Sequence, residues 1–144
     1  MIRRGNLEDF DILFKWINDE DVIKFSRYRK KMSLEEFNSW FDDRIDKLFI
    51  LEEDLFPIGQ ICYDAVGDEG IINYCVDKEE RGKGYGKKLV KYLVDFTKEN
   101  IDEINRLSAF VYKNNIQSIK IFKSLGFKIE EEKEDYVKYT FIIK

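Results

Sequence analysis

The 144-residue chain has no histidine, one proline and two cysteines, and no apolar run of the ~20 residues that a membrane-spanning helix needs. Without histidine, imidazole-based catalytic triads and the commonest zinc sites lose their base and their ligand, so no metal is expected. Cys62 and Cys75 fall in two different apolar, strand-like runs. Reduced, buried thiols are the state this placement favours. Residues 1–5 lack the apolar stretch of a secretory leader, which makes a cytoplasmic location the expectation. Repeats, low-complexity tracts and linker-like segments are also missing, and the length suits one domain covering residues 1–144.

What is present is a balance of 44% hydrophobic and 38% charged residues, the composition of a folded chain with a heavily ionised surface. The net charge of −4 gives nucleic acid no general attraction, and neither nucleic acid nor membrane is expected as a partner. A monomer or homodimer fits these numbers. One stretch departs from the average: residues 81–94 hold Arg81, Lys83, Lys87, Lys88 and Lys91 and no acidic residue. Such a run is either a solvated helix face or a local anion site.

The apolar spacing of Phe10, Leu13, Phe14 and Ile17 predicts a helix over residues 7–18, with Asn6 as its cap. Ser33 and Glu36 form a capping-box pattern ahead of Phe37, Trp40, Phe41 and Ile45, which marks a second helix. Residues 19–32 are left as a connecting stretch that carries Lys24, Arg27, Arg29, Lys30 and Lys31. The period then changes to short alternating runs at 48–53, 57–66 and 71–76, an antiparallel meander broken by turn residues. A helix follows the glycines at 82–86, then a strand at 107–112, a helix at 116–125 closed by Gly126, and strands near 127–130 and 136–143. The expected class is α+β or mixed α/β, with helices on both faces of a mixed sheet and a crossover helix joining two parallel strands.

The feature richest in chemistry is Arg81-Gly82-Lys83-Gly84-Tyr85-Gly86-Lys87-Lys88, between a strand and a helix. Glycines at alternate positions let the main chain approach a bulky anion and adopt positive φ. The unpaired N–H groups of the helix start favour phosphate. A dinucleotide fingerprint needs glycines spaced two and then three apart, whereas these are spaced two and two. A P-loop needs Ser or Thr after its lysine, and Lys87 is followed by Lys88.

The turn resembles the acetyl-CoA signature of the GCN5-related N-acetyltransferases (GNAT): Arg or Gln, two variable positions, Gly, one variable position, then Gly or Ala. Downstream, Asn115-Ile116-Gln117-Ser118-Ile119-Lys120-Ile121-Phe122-Lys123-Ser124-Leu125-Gly126-Phe127 is similar to the last conserved helix of that family. The likeness covers roughly residues 48–130, and the first two helices fit the family's usual order. The resemblance implies a mixed, mostly antiparallel GNAT sheet that splays at its fourth strand, and acetyl-CoA as cosubstrate. It implies that the main chain of Cys75 and Val76 pairs with the pantetheine arm, as an added strand would. It also implies that the amides of Arg81, Gly82, Lys83, Gly84, Tyr85, Gly86 and Lys87 cradle the diphosphate. Lys83, Lys87 and Lys88 would add charge there, and Asn115 would meet the arm. Val76 as simple core and Asn115 as a simple helix cap remain the alternatives.

The chemistry so implied is direct attack of a neutral primary amine on the thioester, with no covalent enzyme intermediate. The helix position at which many relatives carry a tyrosine acid is Phe122, and the strand position of a glutamate in some relatives is Phe110. Neither can move a proton. Glu69 and Tyr112 are the catalytic candidates that remain, with Tyr74 a third nearby group. Trp16-Ile17-Asn18-Asp19 looks like a Trp-Arg-Asn-Asp pattern of enzymes acting on nucleotide-linked amino sugars, with Ile17 in place of Arg. Trp16 as core and residues 24–31 as a solvated loop are the alternative, and the favoured one. The expected partner is a small-molecule amine. Acetylation of a protein N-terminus or lysine, and acetyl-CoA binding without turnover, stand as alternatives.

Overall fold

Seven strands form one sheet in the order β1-β2-β3-β4-β5-β7-β6. The computed structural model describes residues 1–26 and 30–144, so Arg27 and Arg29 lie outside the described residues. The strands are β1 (Ile2–Arg4), β2 (Leu48–Glu53), β3 (Phe56–Val66), β4 (Glu69–Val76), β5 (Arg106–Tyr112), β6 (Lys128–Glu132) and β7 (Tyr136–Ile142). The helices are α1 (Phe10–Ile17), α2 (Glu20–Phe25), α3 (Leu34–Arg44), α4 (Tyr85–Asn100) and α5 (Ile116–Ser124). All neighbouring pairs are antiparallel except β4 and β5, which are parallel and joined through α4.

Local chemistry explains the element ends. Ser33 accepts from the Glu36 amide while the Glu36 carboxylate accepts from the Ser33 amide, the reciprocal box that starts α3. Asn6 caps a short 3-10 turn that runs into α1. Two elements escaped the sequence reading. Residues 2–4 form an edge strand against β2, too short to show a period. The stretch expected as a connection contains α2, whose cap Asp19 accepts from the Asp21 and Val22 amides.

The sheet is covered on both faces, as expected. On one face, Leu89, Val90 and Leu93 of α4 and Phe122 of α5 pack on Ile61, Leu107, Ala109, Val111 and Tyr139. On the other, Leu13 and Trp16 of α1 and Phe37 and Phe41 of α3 pack on Leu48, Ile50 and Cys62. Each such side chain, fully buried, contributes about 1.5–3 kcal/mol.

The parallel seam between β4 and β5 closes only at its start, where Glu69 pairs with Arg106, Gly70 with Leu107 and Ile71 with Ser108. Beyond Ile71 the strands part, although β4 continues to Val76 and β5 to Tyr112. The sheet therefore splays at its fourth strand. β4 stays paired with β3 along its whole length. Asp77 N–H donates to Ile58 C=O at 2.6 Å, so odd-numbered residues of β4 bond β3. The even-numbered Tyr74 and Val76 turn their main-chain groups toward the gap.

Candidate coenzyme cleft and active site

The parted strands open into a cleft of about 620 Å³. One end of it is the glycine turn. Gly82 and Gly84 have φ of +80° and +86°, a region that side chains with a Cβ adopt at a cost. Among the described residues, and apart from the chain neighbours, no heavy atom lies within 4 Å of where their Cβ atoms would stand. Gly86 is a glycine for a different reason: a Cβ there would meet Ile121 Cδ1 at 3.0 Å and Tyr74 Cε2 at 3.2 Å. The absent side chain lets the start of α4 press against β4 and α5.

Main-chain bonding within α4 begins with Lys88 N–H donating to Gly84 C=O at 3.2 Å. The N–H groups of Tyr85, Gly86 and Lys87 therefore lie ahead of the ladder, at the positive end of a 16-residue helix. Such a helix start has the donors and the dipole that favour an anion. Arg81 holds it in place rather than facing a ligand: its Nε donates to Val76 C=O at 3.1 Å, and its two terminal nitrogens pair with Asp21 at 3.0 Å and Asp19 at 3.2 Å. Burial acts against the charged form of Asp19, but the Arg81 bonds and two amides outweigh it and lower its pKa.

Of the residues expected to bind the coenzyme, the cleft brings together Cys75, Val76, Arg81, Gly82, Gly84, Tyr85, Gly86, Lys87 and Asn115. Lys83 is not on its wall; its ammonium pairs with Glu80 at 2.6 Å on the surface. Cys75 lines the cleft, yet its main-chain groups face Gln60 of β3, and Tyr74 takes its place beside Val76 at the open edge. Burial pushes the Cys75 thiol up to about 12, so it is a neutral group near pH 7. Asn115 has both expected features, lining the cleft and capping α5 by accepting from the Ser118 amide at 3.3 Å.

The two catalytic candidates lie outside the cleft wall. Glu69 stands at the closed end of the seam, seven residues from Val76 and thus ~23 Å along the strand. It accepts from Ser108 Oγ at 2.5 Å and pairs with Lys138 at 3.0 Å and Arg106 at 3.4 Å. Its carboxylate braces the closed end and does not reach the cleft, which corrects the expectation drawn from sequence. Tyr112 ends β5 on the opposite sheet face, since Leu107, Ala109 and Val111 are the residues of that strand that enter the α4–α5 core.

Sequence reasoning missed Gln117, Ser118, Lys120 and Ser124 on α5 and Asp21, Val22 and Phe25 on α2, all of which line the cleft. Positions 117, 120, 121 and 124 share the i, i+3, i+4, i+7 face of one helix, a signal present in the sequence. The α2 residues had no such signal. The Trp16–Asp19 stretch serves the fold: Trp16 is buried with its indole N–H on Asp77 at 2.8 Å, and Asn18 bonds the main chain of Met32 in both directions. No helix among the described residues is long and apolar enough to cross a membrane, and no cluster of potential metal ligands occurs among them.

Comparison with known proteins gives a consistent answer. A family model described as acetyltransferase (GNAT) domain matches residues 1–128. The acetyltransferase PseH of Campylobacter jejuni is 25% identical over 135 residues, covering 91% of this chain and 84% of its own length. A domain from Methanocaldococcus jannaschii superposes with a TM-score of 0.82 at 26% identity, covering 99% of this chain and 97% of its own. YncA from Salmonella typhimurium, solved with its cofactor acetyl-CoA, superposes with a TM-score of 0.85 at 16% identity, covering 100% and 94%.

Proposed function

The chain belongs to the GNAT acetyltransferase family and is an acetyl-CoA-dependent N-acetyltransferase, and from that premise we propose that its acceptor is the primary amine of a small molecule, with nucleotide-linked amino sugars the first class to test. The observation that carries the reading is the cleft in which an open strand edge, a helix start and a glycine turn converge. What puts amino sugars first is the likeness of Trp16-Ile17-Asn18-Asp19 to the pattern of enzymes acting on them, although Trp16 and Asn18 also brace the fold. The whole chain is read as one catalytic domain acting as a monomer or homodimer in the cytoplasm.

Acetyl-CoA supplies an activated thioester when bound. The chain's own part is to hold and to orient. Amides of residues 82–87 suit the diphosphate, with Lys87 and Lys120 on the wall adding positive charge. Main-chain groups of Tyr74 and the N–H of Val76 suit the amides of an extended arm, the Val76 carbonyl being taken by Arg81, and Asn115 lines the same cleft. An amine arriving from the far sheet face passes the end of β5, where Tyr112 is our candidate for leading its surplus proton to water.

A panel of amines, including nucleotide-linked amino sugars, polyamines and short peptides, mixed with acetyl-CoA and the protein, tests the reading through release of free thiol. Thiol release with an amino-sugar acceptor above that with simple amines is the expected result. Tight acetyl-CoA binding with no amine raising thiol release above hydrolysis would sink it.

A further inference from the structure

The chain lacks the tyrosine of its relatives at position 122, yet a phenol reaches the same place from another element. Tyr74 leaves β4 toward α5 and meets the Phe122 ring edge-on, centroids 6.0 Å apart. Its Oη lies 2.5 Å from Ser118 Oγ, one helical turn before Phe122. Both hydroxyl-bearing residues line the cleft, and Ser118 is 8% exposed.

Position along the strand decides which end of a coenzyme Tyr74 meets. Val76, Cys75 and Tyr74 line the cleft in that order moving away from the glycine turn. With the diphosphate on residues 82–87 and the arm along β4, the sulfur end lies toward Tyr74. The other acidic groups of the wall are committed elsewhere. Asp21 pairs with Arg81, Glu80 pairs with Lys83, and Tyr85 opens α4 at the diphosphate end.

Resting on the function proposed above, we infer that Tyr74 is the catalytic acid that protonates the departing sulfur of coenzyme A, with Ser118 as its positioning residue. The C–N bond forms as the C–S bond breaks, and the C–S electron pair leaves with sulfur. Sulfur takes the phenolic proton, and the phenolate regains one from water. The amine's surplus proton goes to solvent, so amine and thioester become amide and thiol. Burial raises the Tyr74 pKa and the Ser118 hydrogen bond draws it back, so the phenol keeps its proton near pH 7. The low polarity that keeps it protonated also disfavours a bare thiolate.

Three readouts test the inference on the full chain. Tyr74→Phe, which keeps the ring, is expected to lower kcat by about a hundredfold or more, within the range for loss of a general acid. Calorimetry should show unaltered protein binding CoA about tenfold more tightly than desulfo-CoA, a preference that collapses in the variant, as the loss of one hydrogen bond between phenol and thiol predicts. Ser118→Ala should cost about three- to tenfold in kcat and move the alkaline limb of its pH profile upward, because the bond that draws the phenol's pKa down is gone. Should Tyr74→Phe unfold, the Ser118→Ala limb shift decides the matter by itself. A folded Tyr74→Phe that keeps wild-type kcat or the CoA preference, or an unmoved limb in Ser118→Ala, would overturn the assignment while leaving the proposed function intact. Absence of turnover by the unaltered protein with every amine would instead overturn both.

Discussion

The same two strands, β4 and β5, behave oppositely at their two ends. At the closed end they are zipped by three residue pairs and roofed by side-chain ions: Glu69, Arg106, Lys138, Ser108 and Thr140 bond one another, and Glu130 joins through Thr140 and Lys138. At the open end the main-chain groups of Tyr74 and Val76 face a cleft instead of a strand. Charged side chains are spent where the sheet must hold. Glycines and bare amides stand where a guest must enter. A carboxylate in this fold is therefore no sign of catalysis until its end of the seam is known.

Substitutions at the two ends should separate cleanly into losses of binding and losses of stability. The largest effect belongs to the open end. Gly84→Glu puts a side chain and a negative charge at the start of α4 at φ +86°, and acetyl-CoA affinity measured by calorimetry should fall at least a hundredfold with the fold retained by circular dichroism. Next comes the closed end, where Glu69→Gln removes the nearer of the two carboxylates of Lys138 and leaves it only the longer pair with Glu130. Denaturant unfolding should show a loss of about 2–3 kcal/mol, with acetyl-CoA binding unchanged. A stable Glu69→Gln protein that binds the coenzyme but does not turn over would break the contrast.

Smaller effects sharpen it. Arg81→Ala removes the ties from the glycine turn to Val76, Asp19 and Asp21, and should weaken acetyl-CoA about fivefold; Lys83→Ala, off the cleft wall, should change it less than about twofold. The smallest effect lies far from the seam, at Asp9. Burial works against its charge, but the two-pronged Arg3 bond and the Asn6 amide prevail and lower its pKa. A lowered carboxylate stabilises the fold fully above its unfolded pKa of about 4 and loses that contribution as pH falls through the folded value. Asp9→Asn should therefore flatten the acid limb of stability and leave coenzyme binding alone, as parallel acid titrations of both proteins can show.

Much of this architecture was legible because local chemistry and global fold agree. The Ser33–Glu36 box, the meander, the crossover helix and the glycine turn each lie where spacing put them. Part of the cleft wall was legible for the same reason, since the glycine turn carries a spacing of its own, whereas the lining residues of α2 gave no signal. The place of Glu69 was not: it was chosen by nearness in sequence, whereas the partition of β4 into a closed and an open end, which sets its carboxylate away from the cleft, is a tertiary fact. The short β1 and α2 escaped because three and six residues give no period to read, and α2 has no buried residue at all.

Arg81 has one more consequence. Its guanidinium is the knot that fastens the helix before residue 26 to the glycine turn. Engineers who graft another loop there to change which amine is accepted would untie that knot unless Asp19 travels with the graft. Retuning what enters from one side would then loosen the grip on what enters from the other.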